Sequence, residues 1–173
     1  MQPDKREASM NGTPMKGAPT TVSNPEVNQI ATLLVPISGR LLVLPNVAVA
    51  EIIPFRDPVV AEDVPTWFLG FFEWRSSQVP LVSFEAINDE PFAGRGFGRR
   101  IAILNNVTGD PNLPFVGVVT EGLPRLLRLA PDEIADDADS SAGPAELARV
   151  YINGERASIP NVAWIQQQVV RVV

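Results

Sequence analysis

An all-β chain of short strands is the fold class this sequence predicts, and two observations carry it. The chain has 17 prolines spread along its whole length, and proline both lacks a helix-forming N–H and clashes with the preceding helical turn. Apolar runs of four to eight residues bounded by Gly, Pro, Asn and Ser recur instead, which is strand patterning. Only the last dozen residues repeat apolar positions at helical spacing over three turns.

The segment 70–84 organises the rest. Two apolar stretches, Phe71 to Trp74 and Gln78 to Phe84, flank the polar trio Arg75, Ser76 and Ser77 in the pattern of a tight hairpin. Gly70 follows Trp67, Phe68 and Leu69, so the backbone there either takes positive φ or passes too close to another backbone for a Cβ. Pro80 has no N–H for a ladder and predicts an edge strand or a bulge. Arg75 projects from the turn.

The first 27 residues are polar and rich in Pro, Thr, Ser and Asn. They have too little apolar surface to offset ordering entropy, and they lack the apolar core of a secretion signal, so residues 1–27 are expected to be a disordered arm. Residues 28–173 form the folded unit. Ile30 to Ile37, a Ser38-Gly39 turn and Leu41 to Leu44 make an opening hairpin. Asn46 is expected to cap one helical turn before an extended stretch with Val49, Glu51, Ile52 and Ile53. Glu51 is a lone carboxylate among apolar neighbours, the ordinary outward position of a half-buried strand.

Pro54, Pro58 and Pro65 mark a loop. Phe84 to Asn88 reads as one helical turn. Ala93 to Arg100 is glycine-rich but has no following helix and no Lys or Ser/Thr for phosphate, which makes it a strand connector. Arg100 to Leu104, Phe115 to Thr120 and Leu123 to Leu129 read as strands, and Gly117 implies a bulge or a close backbone approach. Pro131 to Glu146 carries carboxylates without cations at no calcium-loop spacing, so it reads as a solvated loop. Asn153-Gly154-Glu155 turns a hairpin between Val150 to Ile152 and Arg156 to Ile159. Asn161 caps a final helix whose Val162, Ile165 and Val169 share one face.

Composition excludes much chemistry. The chain has 173 residues, 45% hydrophobic and 20% charged, enough for one real core. There is no Cys and no His, which removes thiol nucleophiles, imidazole bases and the usual zinc ligands. Lysine occurs only at Lys5 and Lys16. A formal charge of -6 disfavours nucleic acid and anionic lipid as partners. No stretch is long and apolar enough to insert in a bilayer.

Several spaced elements agree with one family. Val49-x-Glu51-Ile52, Gly70 with Arg75 five positions on, Val79-Pro80-Leu81-Val82 and Gly117-Val118-Val119 together resemble the CheW-like adaptor domains of bacterial chemosensory systems. The resemblance runs from about Ile30 to the C-terminus and looks closest to the ChpC-like members of type IV pilus clusters. It implies two five-stranded SH3-like barrels with a short C-terminal helix, no cofactor and no enzymatic activity. The implied partners are a chemoreceptor cytoplasmic tip and the regulatory domain of a CheA-type histidine kinase. The implied location is the cytoplasm, at membrane-associated arrays, with twitching motility as an output.

By that resemblance Glu51, Ile52 and Arg75 bind the receptor in the groove between the barrels, while Gly70, Pro80 and Gly117 are structural. Glu73 and Ser76 stand where the family usually has Asn and Gly around its arginine, Ser83 replaces a frequent Asp, and Glu121 replaces another. An added carboxylate beside Arg75 changes the local field a partner would meet. Two other classes remain open: a hydrolase built on paired carboxylates, and a generic SH3-like binding module.

Overall fold

Strand pairing in the computed structural model follows the hairpins read from the sequence, and it describes residues 28–92 and 98–173. The arm 1–27 and the centre of the glycine-rich connector, 93–97, lie outside the described residues. Ile30–Ile37 (β1) and Arg40–Pro45 (β2) pair around Ser38-Gly39, with Gly39 at φ 74° in the turn. A 3-10 turn over Asn46–Ala48 leads into Val49–Pro54 (β3). Asn46 is not the cap: Pro45 occupies that position and no side chain bonds the turn. Proline's fixed φ starts the turn without a hydrogen-bonding side chain.

Phe68–Trp74 (β4) and Ser77–Val82 (β5) form the central hairpin. Its turn is two residues rather than three, because Ser77 already pairs with Trp74. Arg75 and Ser76 both take positive φ, 48° and 61°, as the left-handed two-residue turns that match strand twist require. Phe84–Ile87 (α1) follows, with Ser83 accepting from the Ala86 N–H at 3.2 Å. Arg100–Asn105 (β6), Phe115–Thr120 (β7) and Arg125–Leu129 (β8) come next.

The acidic stretch after them is only partly loop. A 3-10 turn at Pro131–Glu133 and a short strand Ile134–Asp136 (β9) interrupt it, and Glu146 opens Glu146–Ile152 (β10). Glu155–Pro160 (β11) and the helix Val162–Val170 (α2) end the fold. Asn161 caps α2, accepting from the Trp164 N–H at 3.0 Å.

Two sheets result, in the orders β8-β1-β2-β11-β10-β9 and β3-β6-β7-β5-β4. The first has six strands where five were expected. Its two edge strands, β8 and β9, are joined by four residues, so the chain turns the corner and closes a barrel with what amounts to one broken strand. This barrel is discontinuous in sequence: β3 to β7 form the second barrel as an insertion between β2 and β8.

Pro80 is not at an edge, since β5 lies between β4 and β7. It is tolerated because of where its missing N–H would point. Its partner Phe71 bonds Val59 through both N–H and C=O, at 3.0 and 2.7 Å, so Phe71 and Pro80 face each other at a non-hydrogen-bonded position. Pairing of β5 with β7 starts one residue later, at Leu81 with Gly117. Gly70 satisfies both expectations made for it. Its φ is 120°, and a Cβ there would stand 2.1 Å from the Val59 carbonyl oxygen, so glycine is what lets the Val59 strap cover the β4 edge. At Gly117 there is neither a bulge nor a close backbone: the pairing is regular, and side chains fill the space, so that a Cβ would meet the Phe72 ring at 2.7 Å.

Apolar residues bury in three layers. Leu34, Val43, Leu129, Val150, Ile152 and Ala157 fill the first barrel, and Ile53, Phe72, Trp74, Leu81, Ile101 and Ile103 fill the second. Between the barrels, one continuous layer joins Val35 and Leu42 to Phe68, Phe84, Leu104 and Val118, and α2 adds Ile165 and Val169. Gln166, fully buried beside them, bonds the Asn105 carbonyl at 2.8 Å and accepts from the Val107 N–H at 2.9 Å. These bonds fix α2 to the second barrel.

Candidate functional site

The turn that presents Arg75 leaves a guanidinium at the end of the second barrel. Left-handed φ at Arg75 and Ser76 closes the hairpin tightly, so the arginine departs from a rigid corner. It lies over the Trp74 ring, 4.6 Å from the centroid, and its Nη2 donates to Glu51 Oε2 at 3.0 Å. The same oxygen accepts the Trp74 indole N–H at 3.0 Å. Trp74 is anchored in the barrel interior, edge-on to Phe115 at 4.8 Å.

Glu51 thus spans the seam between β3 and β4, the two edge strands of their sheet, which share no backbone ladder. A second bond crosses the same seam, from Arg56 Nη1 to the Glu73 carbonyl at 3.1 Å. Glu51 is therefore not a bare outward residue. It closes the barrel and orients Arg75, whose side chain stays 70% exposed against 39% for Glu51. A planar cation held at one edge by a carboxylate and stacked on an indole keeps its other N–H groups free for a second acceptor.

The three residues linked to receptor binding by resemblance do not share one face. Glu51 and Arg75 come together, whereas Ile52 points to the opposite side of β3 and packs against the layer between the barrels. Glu73, the carboxylate two residues before Arg75, is exposed, and its described contact is the backbone bond to Arg56. Gly70, Pro80 and Gly117 have the structural roles given above.

Sequence reasoning missed a second cluster. Arg40 in β2 and Arg149 in β10 face two carboxylates, Glu90 and Glu146: Arg40 Nη1 to Glu90 at 2.7 Å, Arg40 Nη2 to Glu146 at 2.9 Å, Arg149 Nε to Glu146 at 2.9 Å and Arg149 Nη2 to Glu90 at 2.5 Å. The Glu146 side chain is fully buried. Burial alone would raise its pKa. Bonds from the Ser158 hydroxyl, the Gly143 N–H and Arg149, with the charge of Arg40, bring it down instead to about 2. Because these acids are converging but each is bound by two arginines, they form an ionic lattice and not an acid and base pair awaiting substrate. That arrangement speaks against the hydrolase reading. Arg40, Glu90 and Glu146 lie 50 or more positions from one another, and Glu146, three residues before Arg149, ends a stretch that reads as loop, so no local pattern marks the cluster.

Among the described residues no group of three or more acidic, His or Cys side chains converges on a metal position, and no helix is long and apolar enough to cross a membrane.

Comparison with known proteins agrees with this architecture. The family model described as "CheW-like domain" matches residues 31–169. The structure is similar to the crystal structure of the scaffolding protein TtCheW from Thermoanaerobacter tengcongensis, with a TM-score of 0.67 and 11% sequence identity over 79% of this chain and 87% of that one. No curated protein sequence matches. At that identity the structural likeness speaks for the fold, and the family match, which spans most of the chain, places the protein in the CheW-like domain family.

Proposed function

We propose that this chain is a non-enzymatic adaptor that couples the cytoplasmic tip of a chemoreceptor to the regulatory domain of a CheA-type histidine kinase. The observation that carries the reading is Arg75, a rigidly mounted and mostly exposed cation at a barrel end, with Glu51 and Trp74 fixing its direction. Such a group recognises carboxylate or carbonyl oxygens through paired hydrogen bonds. Ile52, on the other side of β3, extends the receptor surface toward the layer between the barrels. Family membership and the scaffold fold support the same role.

The protein works in the cytoplasm and is recruited to receptor arrays. Its subtype is ChpC-like, with control of type IV pili and twitching as the output. The test is capture of purified receptor tip and purified kinase regulatory domain by the full chain, followed by kinase autophosphorylation with and without it. Binding of both partners and a changed autophosphorylation rate are expected. Binding of neither removes the reading. Loss of twitching on deletion of the gene, restored by the intact copy, tests the output.

A further inference from the structure

The Arg40–Glu90–Arg149–Glu146 lattice joins the two barrels. Arg40, Glu146, Arg149 and Ser158 belong to β2, β10 and β11 of the first barrel. Glu90 follows α1, in the connection between β5 and β6 of the second. Glu90 is held in turn by Asn88, whose amide donates to Glu90 Oε1 at 3.1 Å while its carbonyl accepts the Ala145 N–H at 3.0 Å. Gly143 makes room for this: a Cβ there would stand 2.3 Å from Asn88 Oδ1. Nearby, Glu85 after the cap of α1 accepts the Ser38 N–H of the β1–β2 turn at 3.1 Å.

Apart from single hydrogen bonds such as Glu85 to Ser38 and Asn88 to Ala145, the barrels meet through the apolar layer. Burial of apolar surface is strong but has no direction, so it holds two barrels together without choosing one angle between them. Two guanidiniums sharing two carboxylates do choose, because each bond is lost over a small rotation. The lattice balances two positive against two negative charges. Its two bonds to Glu90 cross from the first barrel to the second, so it is complete only when both barrels are in register. Buried ion pairs add little net stability, and setting a unique arrangement is the role best suited to them.

We propose that this lattice, with Glu90 as its single member from the inserted barrel, sets the angle between the two barrels and so the relative orientation of the surfaces they carry. The consequence for coupling rests on the adaptor reading. The angle itself does not.

The chain has no cysteine, so one label can be placed on each barrel, at Ala135→Cys in β9 and Gln78→Cys in β5, both exposed positions. Pulsed electron-spin distance measurement on the full chain is expected to give one narrow distribution. Glu90→Ala, and the milder Glu90→Gln that keeps the side-chain volume, should widen it about twofold or shift its mean, as loosened domain orientation does. Circular dichroism and the chemical shifts inside each barrel should be unchanged. Ile165→Ala, which opens a cavity in the apolar layer, serves as the control. It should lower the melting temperature and keep the distribution narrow. Unchanged distances in both Glu90 variants would overturn the proposal, and so would equal widening in Ile165→Ala. The outcome is independent of whether receptor or kinase binds.

Discussion

The Trp74 indole N–H and the Glu51 carboxylate meet at 3.0 Å across two strands that share no backbone ladder. Side-chain bonds, this one foremost, therefore do at the barrel seam what a row of backbone bonds does elsewhere. Trp74 is buried, and without Glu51 its N–H has no acceptor.

Replacing Glu51 should then cost stability in a graded way. Glu51→Ala strips the indole of its partner and is expected to lower stability by about 1–2 kcal/mol. Glu51→Gln keeps an acceptor oxygen and should cost under half of that. Urea unfolding of the three proteins distinguishes them, and equal midpoints would mean that water replaces the carboxylate at no cost.

Arg75→Ala addresses recognition. The side chain is mostly exposed, so its loss should change stability by less than ~0.5 kcal/mol. Receptor-tip binding should weaken by about 2 kcal/mol or more, the loss typical of a central interface arginine. Affinity for the kinase regulatory domain should hold. Titrations of one preparation with each partner decide it, and parallel weakening of both, or of neither, at constant melting temperature would put the receptor surface elsewhere.

Gly70→Ala forces a methyl group into the Val59 carbonyl at a positive φ. Relief requires the strap at Val59 to leave β4, which also frees a sheet edge. A loss of roughly 2–4 kcal/mol is expected, together with faster amide exchange at Phe71. Retained protection at Phe71 would show that the strap accommodates the methyl.

Acid should act through Glu146. Folding lowers its pKa from 4.5 to about 2, so the native state holds this proton more weakly than the unfolded chain. The resulting stabilisation is complete above about pH 4.5 and is lost as pH falls toward 2; it amounts to about 3 kcal/mol. Thermal unfolding between pH 2 and 5 should slope more steeply for the parent than for Glu146→Gln, which is less stable at pH 7 and has no proton to take up. Identical slopes would assign the acid response to other carboxylates.

Hairpins were legible in the sequence because their causes are local. Ser38-Gly39 and Asn153-Gly154 supply positive φ within a few residues of the strands they join, and Asn161 caps the helix it precedes. Pro80 misled because its tolerance depends on Val59, 21 positions away, drawing the Phe71 hydrogen bonds outward. The acidic stretch misled for a related reason. Glu146 reads as one more solvated carboxylate until Arg40, more than a hundred residues earlier, is folded against it. At the candidate site, Glu51 and Arg75 stood out as isolated charges, but their union through Trp74 depends on a barrel closing. Ile52 was adjacent in sequence and therefore faces the other way, as strand alternation dictates.

Insertion of one barrel into the other has a consequence for birth of the protein on the ribosome. Strands β3 to β7 are contiguous, so the second barrel can close once Thr120 has emerged. The first waits. Its β2 pairs with β11, made more than 110 residues later, and until then β1 has only β2 and β8 beside it, and Leu34 and Val43 lack the Val150, Ile152 and Ala157 that bury with them. Long-range closure of this kind slows folding and leaves apolar edges open to misassembly. Nascent chains stalled before Glu155 should therefore need chaperone protection, while those released after Val170 should not.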